Sequence, residues 1–130
     1  MGSLQAVNEP TVLTPYRDEH LTLDFNRQHV TLDTDRLTLT RKEYELLALL
    51  VEHAGEIIPR ETLLMRVWGY GGDIRTRTLD VHIRRLRKKL GGYADQYIET
   101  IFGIGYRFQP WRAPRFLPTQ TSRPAMAWGA

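Results

Sequence analysis

The densest chemistry in this chain lies between Arg75 and Leu90. Those 16 positions hold seven basic side chains and one acidic one, Asp80, for a net charge of +6. Residues 1–74 carry a net −5 and residues 91–130 a net +2, within a chain total of +3. A basic excess packed into one short segment points to a polyanionic partner more than an evenly basic chain would. An arginine can donate two parallel hydrogen bonds to a guanine edge, and any basic side chain can neutralise a phosphate. A solvated charged helix face has the same composition, so both readings stand at this level.

Spacing decides which of these side chains act together. Leu79, Ile83, Leu86 and Leu90 recur at i, i+4, i+7 and i+11. At about 100° per residue they form one narrow apolar stripe on a helix. Arg77, Val81, Arg84 and Lys88 fall on the opposite side, with Arg85 at the flank. One face is built for a core and the other is a cationic ridge, which has the shape and charge for a DNA major groove. Asp80 is expected to trim the charge of its helix or to pair with Arg84.

Other chemistry is sparse. The chain has no cysteine, which removes disulfides, thiolate metal ligands and cysteine nucleophiles. Ser3 and Ser122 are its only serines, and both lie in expected tails. No phosphate-binding Gly-Lys-Ser/Thr loop occurs, and Gly103-x-Gly105 alone is a turn. His20, His29 and His53 lack ligand spacing. No catalytic residue, metal site or cofactor is expected. The longest apolar run, Leu46 to Val51, is far short of a membrane span. The first ten residues have neither a basic start nor an apolar stretch, so no signal peptide is expected, and Met1-Gly2-Ser3 reads as a cloning remnant. The lack of cysteine suits a reducing, cytoplasmic setting.

Several elements must position the cationic helix. Leu21 to Phe25, Val30 to Leu32 and Leu37 to Leu39 alternate apolar and polar residues and predict a small antiparallel meander. Thr40-Arg41-Lys42-Glu43 is a capping box opening a helix to about His53. Gly55 is a left-handed stop. Pro59 fits the first turn of a second helix, which carries Leu63, Leu64, Val67 and Trp68 and ends at Gly69. Thr76 is the expected N-cap of the third helix. Tyr97 to Ile101 and Tyr106 to Gln109 predict a hairpin around Phe102-Gly103-Ile104-Gly105. Residues 1–17 read as a flexible arm or linker remnant, 18–109 as the folded domain, and 110–130 as a disordered tail. Tail residues such as Trp111 are expected in a plain extension.

Helix, cationic helix and glycine-cornered hairpin follow one another in the order of a winged helix-turn-helix. Here the sequence resembles a known family. Residues Arg77 to Leu90 resemble the recognition helix of OmpR/PhoB-type effector domains of two-component response regulators. Phe102-Gly103-Ile104-Gly105-Tyr106-Arg107-Phe108 resembles that family's wing, and Thr40 to Gly69 its first two helices. The resemblance spans residues 18–109. It implies an α+β fold with an N-terminal antiparallel sheet, a three-helix core and a C-terminal β-hairpin wing.

The resemblance also implies a transcription regulator that binds double-stranded DNA, with two copies head to tail on direct repeats. Arg85 and Thr100 match positions at the bases. Trp68, Arg77, Thr78, His82, Arg84, Arg87, Lys88 and Tyr106 match positions at or near phosphates. The loop Gly69-Tyr70-Gly71-Gly72-Asp73-Ile74-Arg75 corresponds to a segment that can touch RNA polymerase. Members usually carry an N-terminal receiver domain with a phosphorylated aspartate, for which this sequence has no room; the expectation is a receiver that has been cut away, with a stand-alone effector as the alternative. The sequence departs from the family at Phe102, where wings often carry an arginine for the minor groove. Phenylalanine reads no groove acceptors; packing over the hairpin is the expectation, with packing on sugars or wedging at a base step as alternatives. Arg107 is not expected to take over that role. A protein-interaction winged helix whose basic ridge binds an acidic partner, or non-specific RNA binding, would not discriminate between duplex sequences.

Overall fold

The computed structural model describes residues 13–69 and 76–112. It opens with a four-stranded antiparallel sheet in chain order, β1 (Tyr16–Arg17), β2 (Leu21–Asp24), β3 (His29–Leu32) and β4 (Asp35–Leu37). Leu21 and Leu23 point into the core while Thr22 and Asp24, which alternate with them, stay half-exposed. Asp33 and Thr34 both have positive φ, 51° and 84°, between paired Leu32 and Asp35. Two left-handed residues in a two-residue loop are the signature of the hairpin turn whose twist matches the strands. That tight turn starts β4 at Asp35, not at the expected Leu37. β1 lies inside the stretch expected to be an arm; Tyr16 pairs with Leu23 in an edge strand too short to show alternation.

α1 (Arg41–Glu52) begins at the expected capping box. Thr40 Oγ1 accepts from the Glu43 backbone N–H at 3.2 Å, and Glu43 Oε1 accepts from Thr40 N–H at 3.0 Å. Gly55 takes φ +89° and donates its N–H to Phe108 O at 2.8 Å, which ties the end of α1 to the last strand. A short strand follows that sequence periodicity missed, β5 (Ile57–Pro59). Pro59 ends it and is the N-cap of α2 (Arg60–Trp68), one residue ahead of the expected first-turn position.

α3 (Thr76–Leu90) has Thr76 as its first helical residue, one position inside the helix from the expected N-cap. Its stripe is the centre of the core: Leu79 and Leu86 are 0% exposed, Ile83 and Leu90 1%. These residues share one cluster with Leu46, Leu47 and Leu50 of α1 and Leu63 and Val67 of α2. A 3-10 turn (Gly91–Tyr93) and a single helical turn, α4 (Ala94–Tyr97), follow. Tyr97, expected to open the hairpin, ends α4 instead and is fully buried. The hairpin is β6 (Ile98–Ile101) and β7 (Gly105–Phe108), and β5 joins it in the order β5-β7-β6.

The domain does not stop at Gln109. Trp111 packs half-buried against the core, in edge contact with His20 and Tyr93, and its N–H donates to Asp18 Oδ2 at 3.1 Å. The expected disordered tail is corrected there; residues 113–130 lie outside the described residues. Among the described residues no helix is long and apolar enough to cross a membrane.

Candidate nucleic-acid interface

The exposed side of α3 carries Arg77, Arg84, Arg85 and Lys88. None of the four forms a salt bridge among the described residues. The helix can present them because its other side is consumed by the core. Lys89 does not belong to this ridge: its Nζ donates to Glu43 Oε1 at 2.6 Å, on a carboxylate only 2% exposed. Burial alone would raise the Glu43 carboxyl, but the Lys89 and Thr40 hydrogen bonds outweigh it and hold it below the usual carboxylate range. The same carboxylate thus caps α1 and anchors the last turn of α3.

Thr78 and His82 form a second layer. His82 Nδ1 lies 2.8 Å from Thr78 O. A carbonyl only accepts, so Nδ1 carries the proton and Nε2 points away from that bond. The Trp68 ring meets the His82 ring edge-on, with centroids 4.9 Å apart. Trp68, Thr78 and His82 are all half-buried, so the end of α2 and the first half of α3 meet there.

Arg87 and Tyr106, two further expected phosphate contacts, are engaged inside the protein. Arg87 Nη2 donates to Ile98 O at 2.8 Å and to Thr100 Oγ1 at 2.7 Å, with the guanidinium over the Tyr106 ring. Tyr106 is 5% exposed, and its hydroxyl donates to Asp80 Oδ1 at 2.9 Å. Thr100, expected near the bases, is half-buried and supplies the acceptor that holds Arg87. These three residues fasten the hairpin to α3. Sequence spacing could not reveal that, because the partners are 11 to 26 positions apart.

Asp80 pairs with Arg60 of α2 at 2.8 Å, not with Arg84 as expected from helix spacing. The Arg60 hydrogen bond, aided by Tyr106 and opposed by partial desolvation, holds the Asp80 carboxyl below its usual range. Burial and the bond to Asp80 push the Tyr106 hydroxyl up. The arrangement leaves Arg84 unpaired among the described residues and aims Asp80 away from the cationic ridge.

At the wing, Ile104 N–H donates to Ile101 O at 2.9 Å and Gly103 has φ +80°. A positive φ at the third residue alone marks a type II turn with Phe102 at its corner. A Cβ on Gly105 would lie 2.0 Å from Ile58 O, so only glycine lets β7 approach β5 this closely. Phe102 does not cover the hairpin as expected; it is 88% exposed. Arg107 is paired across the strands with Glu99, Nη2 to Oε1 at 2.8 Å, and is not presented at the tip. Of the expected polymerase-contact loop, Gly69 ends α2 with φ +90°, while Tyr70, Gly71, Gly72, Asp73, Ile74 and Arg75 lie outside the described residues. Among the described residues no group of three or more His, Asp or Glu is placed to hold a metal ion.

Residues 34–108 match the family model described as "Transcriptional regulatory protein, C terminal". The response regulator ArlR of Staphylococcus aureus is 44% identical over 87 residues, covering 66% of this chain. The chain spans 40% of the length of that relative. Among solved structures, the DNA-binding domain of Klebsiella pneumoniae RstA in complex with the RstA box is 33% identical with a TM-score of 0.68. It matches over 76% of this chain and 100% of the RstA domain. Response regulator DrrB of Thermotoga maritima, an OmpR/PhoB homolog, is 34% identical with a TM-score of 0.67, over 73% of this chain and 44% of DrrB.

Proposed function

Because the chain belongs to the OmpR/PhoB-type family of transcriptional regulatory C-terminal domains, we propose that it binds double-stranded DNA in a sequence-dependent way. The observation that carries this is the division of α3. Leu79, Ile83, Leu86 and Leu90 are at most 1% exposed, while Arg77, Arg84, Arg85 and Lys88 face solvent. A rigid helix with one anchored face and one cationic face can enter a major groove without rearranging the core. The relative caught on its RstA box has the same fold.

In this reading Arg85 donates to a base edge, and Arg77, Arg84 and Lys88 meet phosphates on either side. His82 adds a phosphate contact through Nε2, beside the Trp68 indole. Thr78 lies near the same backbone. Arg87, Thr100 and Tyr106 act by holding the wing against α3. The wing rests on the adjacent backbone or minor groove. Two copies sit head to tail on direct repeats, brought together by a receiver domain, and the 69–75 loop touches RNA polymerase.

The test is selection from a pool of randomised duplexes, retained by this chain at physiological salt and sequenced. The expected result is a short motif, repeated in one direction about one helical turn apart. Retention without a motif would reduce the ridge to an electrostatic surface and transfer the function to an acidic protein partner or RNA.

A further inference from the structure

We propose that Phe102 is a wedge: it enters the minor groove beside the α3 site and partly unstacks a flexible base step there. The inference rests on the DNA-binding reading above and deepens it, by adding a specificity contact that reads deformability in place of hydrogen-bonding pattern.

Exposure comes first. Phe102 is 88% exposed, far more than Leu13 at 43%, Ile57 at 41% or Ile104 at 51%. Among the described residues the ring has no partner that covers it, and it stands out in water. The backbone that carries the ring is also firmly held. The turn beneath it is closed by Ile104 N–H to Ile101 O. Arg60 N–H donates to Ile104 O at 3.0 Å, pinning the turn to the start of α2. Gly105 is packed against the Ile58 backbone. A turn whose backbone is fixed this way loses little backbone freedom on binding.

Position comes second. Arg60 uses its backbone to hold the turn and its guanidinium to hold Asp80, in the first half of α3. Arg87 holds Ile98 and Thr100 of β6 against the second half. Wing and cationic helix are therefore one rigid unit, and a duplex seated on the ridge brings its backbone and next groove to the wing.

Chemistry comes third. Phe102 has neither donor nor charge, so it can neither read groove acceptors nor follow groove potential. What a ring at a rigid tip can do is insert between base pairs, with Ile104 against the sugars. Unstacking costs least at pyrimidine–purine steps, so the contact selects TA or CA/TG at a fixed place. A protein partner fits less well. The exposed tip is two side chains, well below the roughly 800 Å² per partner of a stable protein interface.

The experiment repeats the randomised-duplex selection with the full chain as wild type, Phe102→Ala and Phe102→Leu. The wild type should enrich a pyrimidine–purine step at one fixed distance from its core motif. Phe102→Ala should keep the core motif, lose the step preference and bind the preferred site about tenfold more weakly. Phe102→Leu should retain part of the preference, since leucine also wedges. With 2-aminopurine as the purine of that step, fluorescence should rise on binding wild type and stay flat with Phe102→Ala. The same core motif and the same step profile from all three proteins, with no fluorescence change, would overturn the wedge and leave the DNA-binding reading intact. No motif from any of them would overturn both.

Discussion

Each member of the ridge has a separable signature. Arg85→Ala should relax base preference at one position and cost about 1–3 kcal/mol there. Arg84→Ala should weaken every duplex alike and flatten the log–log salt dependence by about 0.9 for each phosphate that Arg84 neutralises. Equilibrium titrations on a specific and a scrambled duplex, at several salt concentrations, separate the two roles. Equal losses for Arg85→Ala on both duplexes would remove it from the bases. His82 has its own signature. Its Nδ1 is bound to Thr78 O, so a phosphate contact must run through Nε2. His82→Gln should then weaken the specific and the scrambled duplex alike; unchanged affinity for both would take His82 away from the phosphates.

Between elements, the decisive contacts are buried polar ones joining segments far apart in sequence. Glu43 caps α1 and receives Lys89 from the end of α3. Glu43→Ala should lose about 2–4 kcal/mol at pH 7, from the cap and from the ammonium left without a partner. The pH dependence has a definite sign. The folded carboxyl is held below its usual value, so its contribution is complete above the ordinary glutamate value of about 4.3. It fades as pH falls through the lower, folded value. Urea midpoints between pH 7 and 3 should show wild type and variant converging at the acid end; a constant gap would mean the ionised carboxylate contributes nothing. The capping box itself is legible in Thr40 and Glu43, because both partners lie within one helical turn. Lys89 is not: 46 residues separate it from Glu43, and on a helical wheel it counts simply as one more cation.

For the molecule as a whole, one carboxylate ties the N-terminal sheet to the end of α4 and to the segment after β7. Asp18 accepts from the hydroxyls of Tyr16 and Tyr97 and from the N–H groups of His20, Leu21 and Trp111. Burial alone would raise the Asp18 carboxyl, but the bonds from Tyr16, Leu21, Tyr97 and His20 outweigh it and hold it below its usual range. Trp111 adds edge contacts to His20 and Tyr93. Trp111→Ala should cost about 1–2 kcal/mol of stability, or roughly 4–12 °C in Tm. Thermal unfolding followed by circular dichroism measures it; an unchanged Tm would return Trp111 to the status of a surface extension.

What the sequence determined by itself was whatever depends on near neighbours or on a repeating period. The apolar stripe of α3, the α1 cap, the stops at Gly55 and Gly69 and the glycine-cornered hairpin are set within a turn or two of chain, so residue order specifies them. The division of α3 into an anchored and a cationic face follows from the same period. Tertiary structure decided which cations remain available and which short strands exist. Arg87 and Lys89 are as basic as Arg84, yet packing turns one onto β6 and the other onto Glu43. β1 and β5 are too short to carry a period and exist through the ladders that β2 and β7 offer them. That Phe102 stands clear of its hairpin is likewise seen only in the folded chain, where α2 and the hairpin meet through the Arg60 N–H to Ile104 O bond.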